Sequence, residues 1–263
     1  MSPSWDDRVG VLLHTTFCRF AYVQRTIASL RDRYRCYIAD TGPITAAKLD
    51  YYRDLEREGH RPFMIPWDIS PAETRNFMID QMTEPYVMKF DDDYELSAEA
   101  RVPEIIALLE AFDDLAVVGM AVYSGRYQSR FIFRVQEAGG HMTLSPIPEP
   151  EVEDHEGLPY YRCDVVPDCW VAKRAIFPEC AWDERYHVSE GLHTDFFLHI
   201  LYETDWNVAY CPAARVYTFK HDQGFELTTK DRKRSFYNRK RHRRLGNKDQ
   251  ILAKWNLKSI NNC

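Results

Sequence analysis

Three consecutive aspartates, Asp91-Asp92-Asp93, are the residues whose type and spacing point most directly to chemistry. They follow the apolar run 86–90, which is typical of a buried strand. Ligands of open α/β sheets bind beyond the carboxyl ends of the strands. Carboxylate oxygens at such a place suit Mg²⁺ or Mn²⁺, which in turn hold a diphosphate. The pattern predicts a metal-assisted nucleotide site, with a solvated acidic turn as the alternative interpretation.

The first third of the chain alternates between strand and helix patterns. Short apolar runs predict strands at residues 9–13, 36–39, 63–65 and 86–90, and helical spacing predicts helices over 22–30, 44–58 and 71–82. Ser70, Pro71 and Glu73 have the order of a capping box with proline at the first helical position. This alternation predicts an α/β fold with a mixed, mainly parallel central sheet.

The second half has a less regular pattern. It predicts helices over 102–112 and 191–203, strands at 117–122 and 130–136, and a strand over 165–173 that Pro167-Asp168 interrupts. Residues 146–156 are rich in proline and acids and predict a loop. We expect residues 1–97 and 98–225 to form the two halves of one domain, followed by a basic tail or lid over 226–263.

Composition limits the class of protein. The 263 residues are 14% aromatic and include seven cysteines without a Cys-x-x-Cys pair, which indicates reduced thiols and not a disulfide framework or a zinc site. No apolar run approaches the ~20 residues of a membrane span. The sequence predicts a cytoplasmic globular protein.

Charge is distributed unevenly. Residues 230–244 contain nine Lys/Arg and one acid, which leaves 25 basic and 39 acidic residues elsewhere. A basic segment beside an acidic cleft suits closure over a diphosphate, or peripheral contact with a membrane or a lipid-linked acceptor. A solvated cationic helix is the alternative. The acidic remainder argues against nucleic acid as a partner.

The ordered segments resemble glycosyltransferases of the GT-A fold, which use nucleotide sugars. The resemblance spans most of residues 9–221, and Phe90-Asp91-Asp92-Asp93 is similar to the family's metal-binding Asp-x-Asp motif. The other similar segments are residues 12–19, 38–42, 72–76, 182–185, 193–198 and 220–222. The last three are most similar to the inverting β1,4-N-acetylgalactosaminyltransferase branch. The resemblance implies a Rossmann-like GT-A fold.

The resemblance also implies a metal site. Asp93 would be the direct ligand of Mn²⁺ or Mg²⁺, and Asp91 would reach the ribose or the metal through water. His221 is the candidate second ligand, and an imidazole there would favour Mn²⁺. An ordinary surface histidine is the alternative for His221.

An inverting transfer needs a carboxylate that takes the proton of the acceptor hydroxyl. The resemblance assigns this role to Asp195, whose apolar neighbours Phe196-Phe197 would raise its pKa, whereas a helix start would lower it. Glu190 and His193 are rival bases. If Glu190 were a nucleophile, the enzyme would retain the anomeric configuration.

The remaining candidates would bind the nucleotide sugar. Thr15, Thr16 and Arg19 follow the first strand, Asp40 follows the second, and Asp92 lies within the acidic triplet. Arg75 has the planar donor fork that suits a diphosphate or a carboxylate. Trp170, with Asp168 nearby, would hold a sugar ring, although a buried tryptophan is the simpler interpretation.

The predicted function is metal-dependent, inverting transfer of a GalNAc-, GlcNAc- or Gal-type sugar from UDP to a glycan, lipid-linked or small-molecule acceptor. Uridine follows from the resemblance alone. The alternatives are a retaining transferase and a non-catalytic module that binds nucleotide sugars or glycans. A nucleotidyltransferase or hydrolase is disfavoured, because no glycine-rich phosphate loop follows the first strand.

Overall fold

The computed structural model describes residues 6–16, 19–66, 69–125, 127–128, 132–147, 150–186, 191–219 and 248–262. Within these ranges the strands are β1 (Val9–Thr15), β2 (Arg35–Asp40), β3 (Arg61–Met64), β4 (Tyr86–Asp91), β5 (Tyr94–Leu96), β6 (Leu115–Ser124), β7 (Tyr127–Gln128), β8 (Phe133–Ala138), β9 (His141–Pro146), β10 (Glu153–His155), β11 (Leu158–Cys163), β12 (Trp170–Lys173), β13 (Asn207–Thr218) and β14 (Ser259–Asn262). The α-helices are α1 (Phe20–Leu30), α2 (Ala46–Glu58), α3 (Pro71–Gln81), α4 (Val102–Ala111), α5 (Leu192–Glu203) and α6 (Lys248–Lys254). Short 3₁₀ helices cover Ala98–Ala100 and Arg174–Ile176.

One large sheet carries the fold. Its strand order is β10-β11-β13-β6-β12-β4-β1-β2-β3, with β5 paired to β13 and β7 to β6. The β4-β1-β2-β3 half is parallel, as is the β6–β13 pair, whereas β12 runs antiparallel to both β4 and β6. The predicted α/β fold with a mixed, mainly parallel sheet is confirmed, because helices connect the parallel strands and cover the faces of the sheet.

Alternate residues of the central strands pack on opposite faces of the sheet. In β1, Val11 and Leu13 join one buried cluster with α1 and α4, whereas Leu12 joins a second cluster with α3 and α5. This two-sided burial follows from the period of two residues in a strand. It explains why the first strand reads as a continuous apolar run.

The helix start at Ser70 has the predicted form. The Ser70 hydroxyl accepts a hydrogen bond from the Glu73 backbone N–H at 3.1 Å, and Pro71 is the first helical residue. Proline fits there because its missing N–H would have no partner within the helix. The cap sets the start of α3, which leads into β4, the strand that ends in the acidic triplet.

The second half differs from the expectations in two places. The proline-rich stretch at 146–156 contains β10, which pairs antiparallel with β11. The predicted strand at 130–136 is β8 over Phe133–Ala138, and it forms a hairpin with β9 in a separate three-stranded sheet. Short strands of this kind depend on partners distant in sequence more than on their own pattern.

The described C-terminal residues, 248–262, form a helix and a strand. Helix α6 and strand β14 return to the domain, where β14 pairs in parallel with β9 and Ile251 and Leu257 enter the core. The basic stretch 230–244 and His221 lie outside the described residues, as does Glu190. The expected lid over the nucleotide therefore stays a prediction.

Candidate active site

Strand β4 runs parallel to β1 and beside it, so the acidic triplet at the end of β4 lies next to the end of β1. The register pairs His14 with Asp91 and Thr15 with Asp40, so the carboxyl ends of β1, β2 and β4 meet at one edge of the sheet. A turn links β4 to β5 and holds Asp92 and Asp93. The structure thus places Thr15, Asp40 and Asp91 together at the edge where α/β sheets bind ligands.

Arg19 joins two of the three aspartates. Its guanidinium lies 2.7 Å from Asp92 Oδ1 and 2.6 Å from Asp93 Oδ2, while the Thr15 hydroxyl donates to Asp92 Oδ2 at 2.6 Å. Burial raises the pKa of Asp92 to about 7, although Arg19 acts in the opposite direction. These contacts fix the turn and link Arg19 and Thr15 to the triplet, and the role of both residues in binding the nucleotide sugar stays a prediction. Thr16 lies next to them and is half-buried.

A second charged cluster surrounds Asp168. Lys89, inside β4, contacts Asp91 and lies 3.0 Å from Asp168 Oδ2, and Arg75 of α3 lies 3.7 Å from the same oxygen. Burial would raise the pKa of Asp168, but Lys89, His193 and Arg75 together hold it well below its usual value. Burial alone would lower the pKa of Lys89. The charges of Asp168 and Asp91 outweigh burial and raise the pKa above its usual value, so the lysine is charged.

Sequence reasoning missed Lys89 and His14. Lys89 is the single charged residue in the apolar run 86–90. A lysine inside a buried strand is rarely found without an acidic partner, so its position in the run was the available signal. His14 is partly buried beside Arg75 and Lys89, and desolvation together with these two cations lowers its pKa to about 3. His14 is therefore neutral at physiological pH.

The Asp40 carboxylate is hydrogen-bonded by neighbouring protein groups. Its carboxylate accepts hydrogen bonds from Lys48 Nζ at 2.6 Å, Tyr52 OH at 2.8 Å and the Gly42 backbone N–H at 2.7 Å. Burial and the Asp40 charge raise the pKa of Tyr52 well above its usual value, which keeps the phenol a donor. Asp40 lies at the predicted edge, where three protein donors hold its carboxylate.

Asp195 is enclosed by three donors. Oδ1 accepts from Tyr186 OH at 3.0 Å and Trp255 Nε1 at 2.7 Å, and Oδ2 accepts from Lys254 Nζ at 2.8 Å. The residue is 2% exposed. Lys254 and Trp255 come from the C-terminal segment, and no local pattern in the sequence indicated that they would reach α5.

His193, the rival base in the first turn of α5, faces two acceptors. Its Nδ1 lies 3.2 Å from Asp168 Oδ1 and its Nε2 lies 2.7 Å from the Val166 carbonyl oxygen. A carbonyl and a carboxylate both accept, so both ring nitrogens of His193 lie against protein acceptors.

Trp170 lies in the core and not against a sugar. It is 1% exposed, and its ring stacks on Phe196 with centroids 5.6 Å apart and on Trp182 at 6.2 Å. Trp170 and Ala172 of β12 enter one buried cluster and Val171 enters the other, so both faces of this interior strand are covered. The expectation that Trp170 offers a ring face to the ligand is therefore corrected.

The donor atoms of the triplet suit a hard divalent cation. Within the described ranges, no three side chains of the His, Cys, Asp or Glu type converge to form a complete metal cage. Mg²⁺ and Mn²⁺ sites of nucleotide enzymes, however, use one or two carboxylates and complete their shell with water and phosphate oxygens. Asp91 and Asp93 supply two carboxylates at one turn, and the Asp91 side chain is 35% exposed. The residues present fit such an ion.

The sheet topology and the acidic turn after β4 define the class: the chain has the GT-A fold of nucleotide-sugar glycosyltransferases. Residues 13–180 match the family described as glycosyl transferase family 2, and the chain belongs to that family. No protein with curated function matches the sequence. The narrower resemblance to the β1,4-N-acetylgalactosaminyltransferase branch stays a prediction.

Solved structures support the fold. A structure of GalNAc-T7 with UDP, GalNAc and Mn²⁺ superposes with a TM-score of 0.62 at 14% identity, covering 80% of this chain and 43% of that one. A structure of S. aureus TarS residues 1–349 with UDP-GlcNAc gives 0.56 at 11% identity, covering 80% and 58%. The chain thus spans about half the length of these proteins. In the part that the structure describes, none of the helices has the length and apolar character needed to span a bilayer.

Proposed function

We propose that this protein is a metal-dependent, inverting glycosyltransferase that moves a sugar from a UDP-sugar to a hydroxyl of a glycan, lipid-linked or small-molecule acceptor. The observation that carries the proposal is the cluster of Asp91, Asp92 and Asp93 with Arg19 at the carboxyl ends of β4 and β1. GalNAc-T7 was solved with UDP and Mn²⁺ and S. aureus TarS with UDP-GlcNAc, which supports uridine and the metal.

Asp93 and Asp91 are the residues that would hold the metal, together with His221, which lies outside the described residues. A bound divalent cation neutralises the charge that develops on the departing diphosphate. Arg19 holds the carboxylates of Asp92 and Asp93 in place through short ion pairs. Because Arg19 fixes these groups beforehand, little reorganisation is needed when the donor arrives.

Asp195 is proposed as the base. The acceptor O–H bond breaks as its proton passes to the carboxylate, and the acceptor oxygen forms a bond to the anomeric carbon. The bond from that carbon to the diphosphate oxygen breaks, and its electron pair leaves with UDP. Attack opposite the leaving group inverts the anomeric configuration.

One observation favours a second candidate, a non-catalytic module that binds nucleotide sugars. Asp195 is buried and accepts from three protein donors, an arrangement that would also suit a purely structural carboxylate. In that case the acidic turn after β4 would bind nucleotide and metal without transfer.

Two measurements test the proposal. The first is calorimetric titration with UDP, GDP, CDP and TDP, with and without Mn²⁺, on the wild type, Asp93→Ala and His221→Ala. Asp50→Ala, an exposed substitution on α2, is the matched control. Binding of UDP that requires Mn²⁺ and is lost in the Asp93 and His221 variants, but not in the control, supports the site. Metal-independent binding, or none, would refute it.

The second measurement is release of UDP from UDP-GalNAc and UDP-GlcNAc by wild type and Asp195→Asn. An enzyme loses turnover in the variant but keeps Mn²⁺-dependent UDP binding. A binding module has no turnover to lose. With an acceptor in hand, the anomeric configuration of the product, read by proton NMR, separates inversion from retention.

A further inference from the structure

We propose that Lys254 and Trp255 are positioning residues for Asp195: Lys254 pairs with Oδ2, and Trp255 with Tyr186 holds Oδ1, so that Oδ2 receives the proton. The inference rests on the proposed function. It adds two residues from the C-terminal segment, far from the acidic triplet in sequence, to the reaction.

The hydrogen bonds distinguish the two carboxylate oxygens. Oδ1 accepts from both Tyr186 and Trp255, at 3.0 Å and 2.7 Å, whereas Oδ2 accepts, among the residues that the structure describes, from Lys254 at 2.8 Å. Each carboxylate oxygen has two lone pairs. Oδ1 is therefore saturated, and Oδ2 keeps one lone pair. The acceptor proton has one place to go.

The environment explains why a cation is needed. Asp195 is 2% exposed and adjoins the buried rings of Phe196 and Phe197. An isolated carboxylate in such surroundings is expensive to ionise and instead takes up a proton, which would prevent it from acting as a base. The Lys254 ammonium, 2.8 Å from Oδ2, places the opposite charge beside this buried carboxylate.

Other charged or titratable groups near Asp195 do not replace Lys254. They are Tyr186, Asp183 and Arg185 from the loop after β12, Cys180 from the same region, His199 from α5, and Glu179 and Glu203 further away. Burial raises the pKa of Cys180 to about 12 and that of Tyr186 further still, and burial lowers the pKa of His199, so all three are neutral near pH 7.

The Arg185 charge is taken up by Asp183, with Nη2 at 2.6 Å from Oδ2. Lys254 also lies 3.2 Å from Asp183, which holds the ammonium from a second side. Within the described ranges, Lys254 is thus the cation that Asp195 contacts directly, and two carboxylates fix its position.

The segment that carries Lys254 is a built part of the domain. Strand β14 pairs with β9 over four residues, and Ile251 and Leu257 are buried in the core. Trp255 packs its ring 5.6 Å from Tyr202 of α5. A segment fixed in this way is suited to position the base, and not to act as a detachable cover over it.

Two measurements on the full-length protein test the inference. The first is the pH dependence of UDP release from UDP-GalNAc and UDP-GlcNAc, with water as acceptor, for wild type, Lys254→Met, Lys254→Arg and Trp255→Phe. Lys258→Met is the matched control, because Lys258 lies on the same segment and donates to the Gly139 carbonyl oxygen at the surface. Calorimetric UDP·Mn²⁺ binding checks that every variant is folded and loaded.

We expect Lys254→Met to lose at least about tenfold in kcat at pH 7 and to move the acidic limb of the profile upward by about one to three pH units. Lys254→Arg restores the limb. Trp255→Phe lowers kcat without moving the limb, and Lys258→Met changes neither. An unmoved limb in Lys254→Met, or a faster rate that would mark a covering segment, overturns the inference.

The second measurement does not depend on activity. The Asp195 carboxyl is followed by ¹³C NMR in protein labelled at the aspartate carboxyl carbon, with Asp195→Asn for assignment. The signal should titrate at higher pH in Lys254→Met than in wild type. Equal titration overturns the inference even if the enzyme is active. A clear difference without any UDP release leaves the ion pair but refutes both its catalytic role and the proposed transferase.

Discussion

Replacing Lys89 by methionine should destabilise the protein and make its stability depend on divalent metal. Lys89 is 1% exposed and bridges Asp91 and Asp168. Methionine keeps most of the volume, so the substitution removes the charge and leaves the packing largely intact. The variant isolates the electrostatic role of the lysine.

The magnitude follows from what remains around each aspartate. Asp168 keeps His193 at 3.2 Å and Arg75 at 3.7 Å, so Asp91 is the carboxylate left without its cation. Breaking a buried ion pair costs about 3–5 kcal/mol, and the partial exposure of Asp91 places the effect near the lower end, about 3 kcal/mol. Since a chain of this size loses about 2–4 °C per kcal/mol, Tm should fall by about 6–12 °C.

The assay is thermal unfolding with and without Mn²⁺ or Mg²⁺, for the wild type, Lys89→Met and Lys173→Met. Lys173 is the control, because its ammonium donates to the Phe112 and Asp113 carbonyl oxygens and contacts no carboxylate at the site. Metal should raise Tm more in Lys89→Met than in wild type, because it supplies the missing positive charge beside Asp91. An equal metal effect in the two proteins would refute the assignment of Asp91 to the metal site.

Three further predictions concern the stability of the fold at Gly119, His60 and Trp170. Gly119→Ala should destabilise the protein by about 1–3 kcal/mol in urea, because an added Cβ would lie 2.4 Å from Val166 Cβ; Val166→Gly should relieve the loss, and additive effects would contradict this. Burial and two arginines lower the pKa of His60 from 6.5 to about 4, so the unfolded chain binds its proton first. The free energy of unfolding should fall by about 2 kcal/mol between pH 6.5 and 5, and a His60→Gln variant with the same pH slope would exclude this cause. Trp170→Leu should lower Tm without weakening UDP·Mn²⁺ binding, whereas a selective loss of binding would restore the ligand role that the structure argues against.

Local signals were sufficient for the parallel half of the fold. The apolar runs of β1, β2 and β4 and the cap at Ser70 depend on side-chain period and backbone donors within a few residues, and both are written in the sequence. Because parallel strands end at one edge of a sheet, their order alone predicts that Asp40 and Asp91 lie near each other.

The environment of each site residue was decided by tertiary structure. Whether Asp40 is free or held by Lys48 and Tyr52, and whether Trp170 faces a ligand or the core, depends on which elements pack around it. Residue type determines which hydrogen bonds a side chain can donate or accept. It does not determine which residue lies close enough to form them.

The contact between Lys254 and Asp195 is the clearest example. The sequence by itself determined that an aspartate stands in the first turn of an amphipathic helix, beneath two phenylalanines. Only the pairing of β14 with β9 brings the C-terminal helix back to α5, so that an ammonium 59 residues away lies 2.8 Å from that carboxylate. The charge state of a buried acid is set by its neighbours in space, and those neighbours are a property of the folded chain.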